Sequence, residues 1–484
     1  MFALPFGRER GRPPGPSGLP VIGNLHKFAR EPFEFMTRCG REYGPVVAWE
    51  IGERDSYLVT GPTEIERVLV HDNQDYVKGK RFQQAVGPVL GRGVLTSEGE
   101  KWRRQRHLVQ PAFHPDRIEG YAGIMTDLTE ETIEDWQDGE TRDVHADMMA
   151  LTLRIVSRAL FGVDLRDRTD EVGEALGVVT AHAEKMSSRY VPPSVPTPEN
   201  RRFQRATERL EAIVDEIVAE RREDPSDDVI SALLAASDKC KANGTVQPVG
   251  EGRGKSDGEG LGKAIGMGRK ETDGDGRGDG MTPKQIRDEV MTLLLAGHET
   301  TALALTYTFF LLGQYTAVDE TLFEEVDSVV EGSAPAIEDV EDLEYAERVV
   351  KESMRLYPPV FSILREPIRD VELGGYHIPA GSTLTLAQWV VHRDPRYYRH
   401  PMAFRPERWT DGFAKELPRF AYFPFAGGPR RCLGDRFAMI EAQLVLATIA
   451  KRYQLELVSS PSIDRGAGIT MRPKDPIRVV VRER

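Results

Sequence analysis

The chain has 484 residues, of which 40% are hydrophobic and 29% are charged. This balance excludes a chain that is disordered throughout and an integral membrane bundle. Acidic residues outnumber basic residues by 77 to 64, and the resulting net charge of −13 argues against a general nucleic-acid-binding protein. Length alone allows two or three domains, although some enzyme folds of this size are one compact unit.

The N-terminus and the cysteine content both bear on the cellular compartment. The first apolar run ends at Phe6, too short for a signal peptide or a membrane span. The Pro/Gly-rich residues 1–20 are expected to form an extended lead-in. The three cysteines, Cys39, Cys240 and Cys432, have no C-x-x-C spacing and are too few for a disulfide framework. We therefore expect a cytoplasmic protein.

Most of the chain has the hydrophobic spacing of helices. Segments 121–160 and 201–222 carry apolar residues three and four positions apart and are predicted to be helical. Short strands are expected at Val46–Ile51, Tyr57–Thr60, Ser382–Leu386 and Ile477–Val481, the first two forming a hairpin. The expected fold class is mainly α with small β-sheets, in a single domain spanning 1–484.

Residues 241–280 differ in composition from the rest of the chain. They contain 13 glycines, many charged residues and few large apolar side chains. Such a segment buries too little surface to offset its chain entropy, so we expect a disordered surface insertion between two helices. A regulatory or partner-binding loop is the alternative.

The most apolar segment, Val290–Gly313, has His298, Glu299, Thr300 and Thr301 at its middle. It is long enough to cross a bilayer, but an imidazole and a carboxylate at mid-membrane would be costly. A helix buried on nearly all sides inside a large protein is the better interpretation. Polar groups buried in such a helix need a partner or a function.

A glycine-rich turn near the C-terminus places Cys432 just before a predicted helix over Asp435–Ala450. Gly428 and Gly434 allow tight turns, the helix N-terminus favours an anionic sulfur, and Arg430 would meet a negative group. This pattern suggests a thiolate held under a flat anionic cofactor. A lone cysteine in a turn is otherwise most often a small buried hydrophobe.

The run from Phe425 to Gly434, F-x-x-G-x-R-x-C-x-G, resembles the haem-binding loop of the cytochrome P450 family at every fixed position. The resemblance implies that haem b lies between an oxygen-activating helix and the helix after the cysteine. It also implies that Cys432 is the thiolate ligand of the iron and that Phe425, Gly428 and Gly434 of the same loop bind the cofactor. Thiolate ligation donates electron density that favours O–O cleavage.

Two more segments resemble family motifs that are structural. Glu352 and Arg355 match E-x-x-R and lie on one helix face, where they can form a bidentate pair. Pro406–Trp409 stands where the family has P-E-R-F, with Trp409 in place of phenylalanine. The resemblance implies a triad that braces the cysteine loop.

The segment Ala296–Thr301 resembles the oxygen-activating helix of the same family. The resemblance implies that Ala296 and Gly297 leave room for a diatomic ligand, that Thr300 hydrogen-bonds bound oxygen and that Glu299 relays protons. A helical hydroxyl can instead bond to the carbonyl four residues before it. His298 is expected to pack or to face solvent.

Cations are needed for the two haem propionates. Trp102 and Arg106 match W-x-x-x-R and are four residues apart on one helix face. The resemblance adds Arg365 and Arg430 to this set. For any single arginine, the alternative is a surface side chain lying along apolar neighbours.

The resemblance implies monooxygenation: one oxygen atom of O2 enters a hydrophobic organic substrate, with electrons from NAD(P)H through a separate ferredoxin- or flavodoxin-type protein. A basic patch with Arg103, Arg104 and Arg431 could dock such a carrier. Peroxide-driven or isomerase chemistry, a non-catalytic haem sensor and a cysteine hydrolase remain alternatives. We expect a monomer without nucleic acid or a membrane span. The resemblance places substrate contacts at Arg81–Leu95, Ala181–Pro198, Leu293–Thr301 and Val360–Leu364.

Overall fold

The computed structural model describes residues 11–19, 22–50, 55–188, 195–226, 228–243, 281–410 and 412–484. Helices dominate these residues, and the strands are short, which confirms the expected fold class. The α-helices are α1 Leu25–Arg30, α2 Pro32–Tyr43, α3 Pro62–Glu66, α4 Lys80–Leu90, α5 Gly99–Val109, α6 Pro115–Ile133, α7 Val144–Phe161, α8 Thr169–Ser188, α9 Pro198–Glu223, α10 Val229–Asn243, α11 Pro283–Leu312, α12 Thr316–Val329, α13 Glu344–Leu356, α14 Gln388–Val391, α15 Phe413–Glu416 and α16 Asp435–Arg452.

Within the described ranges, the strands form four small sheets. They are β1 Val46–Glu50, β2 Asp55–Val59, β3 Tyr76–Val77, β4 Thr141–Asp143, β5 Ile363–Pro367, β6 Val371–Leu373, β7 Tyr376–Ile378, β8 Thr383–Leu386, β9 Tyr453–Leu457, β10 Arg465–Ala467, β11 Met471–Pro473 and β12 Arg478–Glu483. The largest sheet has the order β1-β2-β8-β5-β3, and its only parallel pair is β2 with β8. β12 lies between β4 and β9 in a second sheet. All four predicted strands are present.

The prediction of one helical segment over 121–160 was wrong at its centre. α6 ends at Ile133, and α7 begins only at Val144. Gly139 has a φ of +78°, which interrupts the helix, and β4 pairs with β12 before α7 starts. The Asp143 carboxylate then caps α7 by accepting a hydrogen bond from His145 N at 3.1 Å. The predicted helix over 201–222 lies within α9.

α11 is the central helix of the fold. It begins with a capping box, in which Gln285 N donates to Thr282 Oγ1 at 3.2 Å and Thr282 N donates to Gln285 Oε1 at 2.8 Å. Along its length α11 packs against α7, α13 and α16, and most of its side chains are buried. Among the described residues, no helix is long and apolar enough to cross a membrane.

Several sequence-based expectations fall wholly or partly outside the described residues. Of the lead-in over 1–20, residues 11–19 are described, and they run beside β1, where Ala48 N donates to Pro14 O at 2.9 Å. α10 includes residues 241–243, and the rest of the predicted insertion, 244–280, lies outside. Much of the predicted substrate segment Ala181–Pro198 also lies outside.

Candidate functional site

The cysteine loop is a tight turn that enters α16. Cys432 N donates to Phe425 O at 3.0 Å, which closes the loop. Gly428 has a φ of +67°, and a Cβ at this position would lie 1.9 Å from Leu69 O, so only glycine fits. The backbone N–H of Gly434 donates to the Cys432 sulfur. Helix α16 starts at the next residue, as the sequence predicted.

The Cys432 thiol lies in a recess. The side chain is exposed, yet its surroundings desolvate the thiol and raise its pKa to about 11. The Gly434 N–H, Arg106 and Arg431 oppose this shift, whereas Asp435 adds to it. Solvent reaches the Cys432 side chain, yet the surrounding protein desolvates its thiol. This combination is typical of a deep concavity and not of an outer surface. Among the described residues that act on this thiol there is no imidazole, so they do not supply the general base that a cysteine hydrolase needs.

Trp102 lies between two of the predicted cofactor cations. The guanidinium of Arg430 lies 4.1 Å from the centre of the indole ring, and that of Arg106 lies 5.9 Å from it. Arg430 Nη1 also donates to Ser97 O at 2.8 Å, and Arg430 Nη2 pairs with the Glu98 carboxylate. The structure thus brings α5 and the cysteine loop together as the sequence motifs suggest.

Two further cations complete this cluster. Arg365 on β5 is buried, and burial together with Arg430 lowers its pKa to about 10. Lys78 follows β3, and burial, Arg365 and Arg430 lower its pKa well below the usual range. Glu98 is the carboxylate that opposes both shifts. Lys78, Arg365 and Arg430 thus surround the Glu98 carboxylate, and Arg106 adds a fourth desolvated cation beside Lys78 and Arg430, so the cluster forms a site for an anionic group.

Sequence reasoning missed Lys78. Its ammonium donates to Leu95 O, and its own backbone N–H donates to Glu98 Oε1 at 2.8 Å. Lys78 reaches the cluster because β3 pairs with β5, where Val77 lies opposite Glu366. A two-residue strand leaves no pattern in the sequence, so no signal could have found this residue.

One face of α11 carries Ala296 and Thr300. Ala296 is exposed in the middle of this buried helix, and Thr300 is partly exposed. The Thr300 hydroxyl donates to Ala296 O at 2.8 Å, which is the self-bonded arrangement that the sequence left open. The expected hydrogen bond from Thr300 to bound oxygen remains a prediction.

Glu299 is directed toward the β10–β11 hairpin. Arg472 Nε donates to Glu299 Oε1 at 2.6 Å, and the Thr470 hydroxyl donates to the same oxygen. Burial opposes ionisation of Glu299, but these two partners outweigh it and hold its pKa below the ordinary value. The structure therefore gives Glu299 and Thr300 separate partners. Thr470 and Arg472 were not among the sequence candidates because their hairpin is more than 160 residues away.

Gly297 serves helix packing. A Cβ added at this position would lie 2.8 Å from Val156 Cγ2 on α7. The close approach of α7 and α11 therefore accounts for a glycine at position 297. That Gly297 also leaves room for a diatomic ligand remains a prediction. His298 is buried, and its carbonyl accepts a hydrogen bond from Thr152 of α7 at 3.0 Å.

The Glu352 carboxylate is the centre of a buried network. Arg355 forms a bidentate pair with it, both N–O distances being 2.8 Å. Arg408 Nε donates to Glu352 Oε1 at 2.8 Å, and Trp409 Nε1 donates to Glu352 Oε2 at 3.0 Å. Arg355 also donates to the carbonyls of His392, Pro401 and Ala403. The network ties α13 to the segment that precedes the cysteine loop.

The family model of cytochrome P450 matches residues 13–480. The chain belongs to the cytochrome P450 family. It is therefore an oxidoreductase of the monooxygenase type. Cytochrome P450 membership implies a haem-thiolate cofactor, an organic substrate, O2 and a redox partner.

Three curated relatives extend this result. The chain is 36% identical to cyclooctatin synthase and 34% identical to cyclooctat-9-en-7-ol 5-monooxygenase, both from Streptomyces melanosporofaciens. The matches cover 93% of this cytochrome P450 and 91% and 90% of the two relatives. Pentalenene oxygenase from Streptomyces avermitilis is 29% identical over 91% of this chain and 90% of its own.

The residues of this cytochrome P450 fit a haem. The recessed Cys432 thiol and the cluster of Lys78, Arg106, Arg365 and Arg430 adjoin each other, because Arg106 acts on the pKa of both Cys432 and Arg430. Haem carries an iron ion and two propionate groups. The thiol would ligate the iron, and the desolvated cations would pair with the propionates. Around Cys432 the described residues offer no cluster of three metal-ligating side chains.

Proposed function

We propose that this chain is a haem-thiolate monooxygenase that inserts one oxygen atom of O2 into a hydrophobic organic substrate, with electrons from NAD(P)H through a separate redox protein. One observation carries the proposal: a recessed, free Cys432 adjoins four desolvated cations. Membership of the cytochrome P450 family supports it.

In this proposal Cys432 binds the iron of haem b as a thiolate. Arg106, Arg365 and Arg430 bind the propionates, with Trp102 packed between two of them and Lys78 adding a fourth positive charge. Phe425, Gly428 and Gly434 hold the loop in shape. Haem ligated by a thiolate supplies the capacity to activate O2.

The chain's own residues handle protons on α11. The Thr300 hydroxyl now donates its proton to Ala296 O at 2.8 Å, and rotation about its χ1 frees the same proton for the reacting side of the helix. Glu299 is ionised at neutral pH because Arg472 and Thr470 hold its pKa low. A Glu299 that leaves Arg472 can carry a proton toward Thr300.

The substrate is a hydrophobic organic compound. Leu293, Ala296 and Thr301 lie on α11, and Val360–Leu364 carries largely apolar side chains, which favour an apolar ligand. Two relatives are named for pentalenene and cyclooctat-9-en-7-ol, an alkene and an unsaturated alcohol. We propose a carbocyclic alkene or alcohol of this kind.

The electron donor is a ferredoxin- or flavodoxin-type protein. Arg103, Arg431 and Arg436 are exposed near the cysteine side, but each already pairs with a carboxylate, of Glu100, Asp435 and Glu119 respectively. An acidic carrier that docks here replaces these carboxylates, so its binding weakens as salt screens the contacts.

We also propose a single domain, a monomer and a cytoplasmic location. The free state of Cys39 and Cys432 supports the cytoplasmic location.

The experiment that tests the proposal is the absorption spectrum of the reduced, carbon-monoxide-treated protein. The purified wild type should show the red-shifted Soret band of thiolate-ligated haem, and Cys432→Ser should abolish it. Cys39→Ser is the matched control, because Cys39 is the other described free cysteine and is buried on α2. A wild type without this band, or an unchanged band in Cys432→Ser, contradicts the proposal.

Peroxide-driven chemistry is the second candidate. One observation favours it: the Glu299 carboxylate accepts from Arg472 and Thr470, whereas the Thr300 hydroxyl donates to Ala296 O. Turnover with NAD(P)H and redox proteins that falls in Thr300→Ala, with haem content unchanged, supports the monooxygenase. Turnover with hydrogen peroxide alone supports the second candidate.

A further inference from the structure

Residues Gly91–Glu98, called the 91–98 loop below, connect α4 to α5 and are hydrogen-bonded to side chains of α11. The face of α11 that carries Ala296 and Thr300 is called the reactive face. We infer that Asp288 and Glu289 are positioning residues that fix the path of the 91–98 loop beside this face, and so determine which ligands fit there. This inference rests on the proposed function, because it assigns substrate binding to that face.

Two adjacent carboxyl groups of α11 accept hydrogen bonds from the loop backbone. Arg92 N donates to Asp288 Oδ2 at 2.8 Å. Val94 N donates to Glu289 Oε2 at 2.9 Å and lies 3.2 Å from Oε1. Asp288 is 8% exposed and Glu289 is fully buried. The loop is not a strand, so these side chains satisfy amides that would otherwise be left without partners.

The loop backbone lies directly against α11. Gly91 has a φ of +52°, and an added Cβ would lie 2.3 Å from the Asp288 carboxyl group. An added Cβ at Gly93 would lie 2.1 Å from Thr292 Oγ1. No larger residue fits at either position without moving the loop away from the helix. The contact therefore sets the distance between loop and helix as well as the hydrogen-bond register.

Hydrogen bonds within the loop keep its shape. Thr96 Oγ1 donates to Gly91 O at 2.9 Å, and Ser97 Oγ donates to Arg92 O at 2.9 Å. Gln105 Nε2 from α5 donates to Arg92 O at 2.7 Å. The loop is thus a closed unit that moves as one piece if its attachment to α11 is lost.

The position of the loop links it to the candidate site. Asp288, Thr292, Ala296 and Thr300 follow one another at four-residue intervals, so each lies about one turn further along α11 and about 40° further around it, and the four form a continuous stripe that leads from the loop to Thr300. The other end of the loop contacts the cation cluster, where Ser97 O accepts from Arg430. The loop therefore extends from the N-terminal part of the reactive face to the cations around Cys432.

The protonation state of Glu289 fits this role. Burial raises its pKa to about 8, the neighbouring Asp288 adds to the shift, and the Val94 N–H opposes it. A protonated Glu289 at neutral pH avoids two adjacent buried negative charges and still accepts from Val94. Glutamine has the same shape and also accepts, so Glu289→Gln preserves the interaction and Glu289→Ala removes it.

The test compares azoles of different size on the ferric haem-loaded enzyme. Imidazole and clotrimazole are titrated while the Soret shift is followed, in wild type, Glu289→Ala, Glu289→Gln, Asp288→Ala and Asp288→Asn. The alanine variants should raise the dissociation constant of clotrimazole about tenfold and raise that of imidazole by less than about twofold. The amide-bearing variants should stay close to wild type.

Hydrogen–deuterium exchange supplies a readout that needs no ligand. Amides of 91–97 should exchange at least about tenfold faster in Glu289→Ala than in wild type and Glu289→Gln, with α16 unchanged as the reference. Unchanged exchange and unchanged clotrimazole binding in both alanine variants would overturn the inference, as would equal weakening of both azoles. A missing carbon-monoxide band refutes the proposed function, whereas the exchange result still decides whether the carboxyl groups hold the loop.

Discussion

At the scale of single residues, the Glu352 carboxylate shows how a fully buried charge is accommodated. Arg355, Arg408, Trp409 and the backbone N–H of Arg405 all donate to its two oxygens. A buried ion is tolerated only when its hydrogen-bonding capacity is filled, and removal of one donor leaves it partly unsatisfied. Trp409, the departure from the family motif, supplies a donor that phenylalanine lacks.

Trp409→Phe should lower the free energy of unfolding by about 1.5–3 kcal/mol, because a charged buried acceptor loses one donor. The sequence motif implies that the network braces the cysteine loop, in which case the variant should also shift haem release to lower urea concentration. Urea titrations followed at the Soret band measure both effects. Trp49→Phe is the control for lost packing: this tryptophan is buried and its Nε1 has no hydrogen-bond partner among the described residues, so the variant should lower the free energy of unfolding but shift haem release less than Trp409→Phe does. Equal shifts in both variants would contradict the argument.

Two buried glutamates should show opposite pH dependence. Burial raises the pKa of Glu441 well above its usual range, with the Thr301 hydroxyl opposing the shift. Its stabilisation is complete below about pH 4.3 and is lost as the pH rises, by up to about 1.4 kcal/mol per pH unit. The pKa of Glu299 is lowered, so its stabilisation is present above about pH 4.3 and is lost as the pH falls.

Thermal unfolding of Glu441→Gln and Glu299→Gln between about pH 2.5 and about pH 8 checks these signs. Relative to wild type, Glu441→Gln should gain stability as the pH rises above about 4.3, whereas Glu299→Gln should lose stability as the pH rises toward about 4.3 and then run parallel to wild type. Parallel profiles for a variant and wild type would show that the carboxyl group does not titrate differently in the folded state.

At the scale of elements, α11 joins a packing surface and a reactive surface on one helix. Gly297 faces Val156 of α7, whereas Ala296 and Thr300 are open on another side. Adjacent residues on a helix are about 100° apart, so neighbouring positions can serve different surfaces. The sequence motif alone did not separate these two surfaces.

Gly297→Ala should lower the free energy of unfolding by about 1–3 kcal/mol, because the added Cβ would clash with Val156. The double variant Gly297→Ala/Val156→Ala should recover part of the loss beyond the additive expectation, since the clash is gone. Gly123→Ala on α6 is the matched control: nothing lies within 4 Å of its Cβ, so it should leave stability unchanged or raise it by up to about 1 kcal/mol. Strict additivity in the double variant would refute the packing role.

The elements also show what the sequence could and could not predict. Periodic hydrophobic spacing predicted α9 and α16, and a long apolar run predicted α11, because each signal lies within the segment itself. The break between α6 and α7 was missed, because β4 forms only by pairing with β12, more than 330 residues later. The partners of Glu299 were missed for the same reason. Long-range pairing leaves no local signal.

At the scale of the whole molecule, the cation cluster gathers residues from four distant segments: Lys78, Arg106, Arg365 and Arg430. Their mutual repulsion lowers the pKa of Lys78, Arg365 and Arg430 in addition to burial. The resemblance to the family supplied the three arginines. Lys78 required the fold, because only the β3–β5 pairing brings it there.

The cluster should make the haem-free protein more sensitive to salt than the haem-bound protein. Raising NaCl from about 0.05 to about 0.5 M screens repulsion among the cations, whereas in the proposed haem-bound form the propionates would already neutralise them. The melting temperature should therefore rise more in the haem-free protein, by scanning calorimetry. Lys78→Met should reduce this difference, and Lys284→Met, at an exposed position on α11, should not. Equal salt dependence in both forms would contradict the argument.

The 91–98 loop has a consequence for the divergence of this enzyme. Its path depends on backbone amides, on the hydroxyls of Thr96 and Ser97 and on side chains of α5 and α11, so the side chains at Arg92 and Val94 can change without altering that path. Selection can therefore exchange the chemical lining of the site while the scaffold stays constant. A mutant library confined to positions 92 and 94 would sample new substrate preferences at little cost in folding yield.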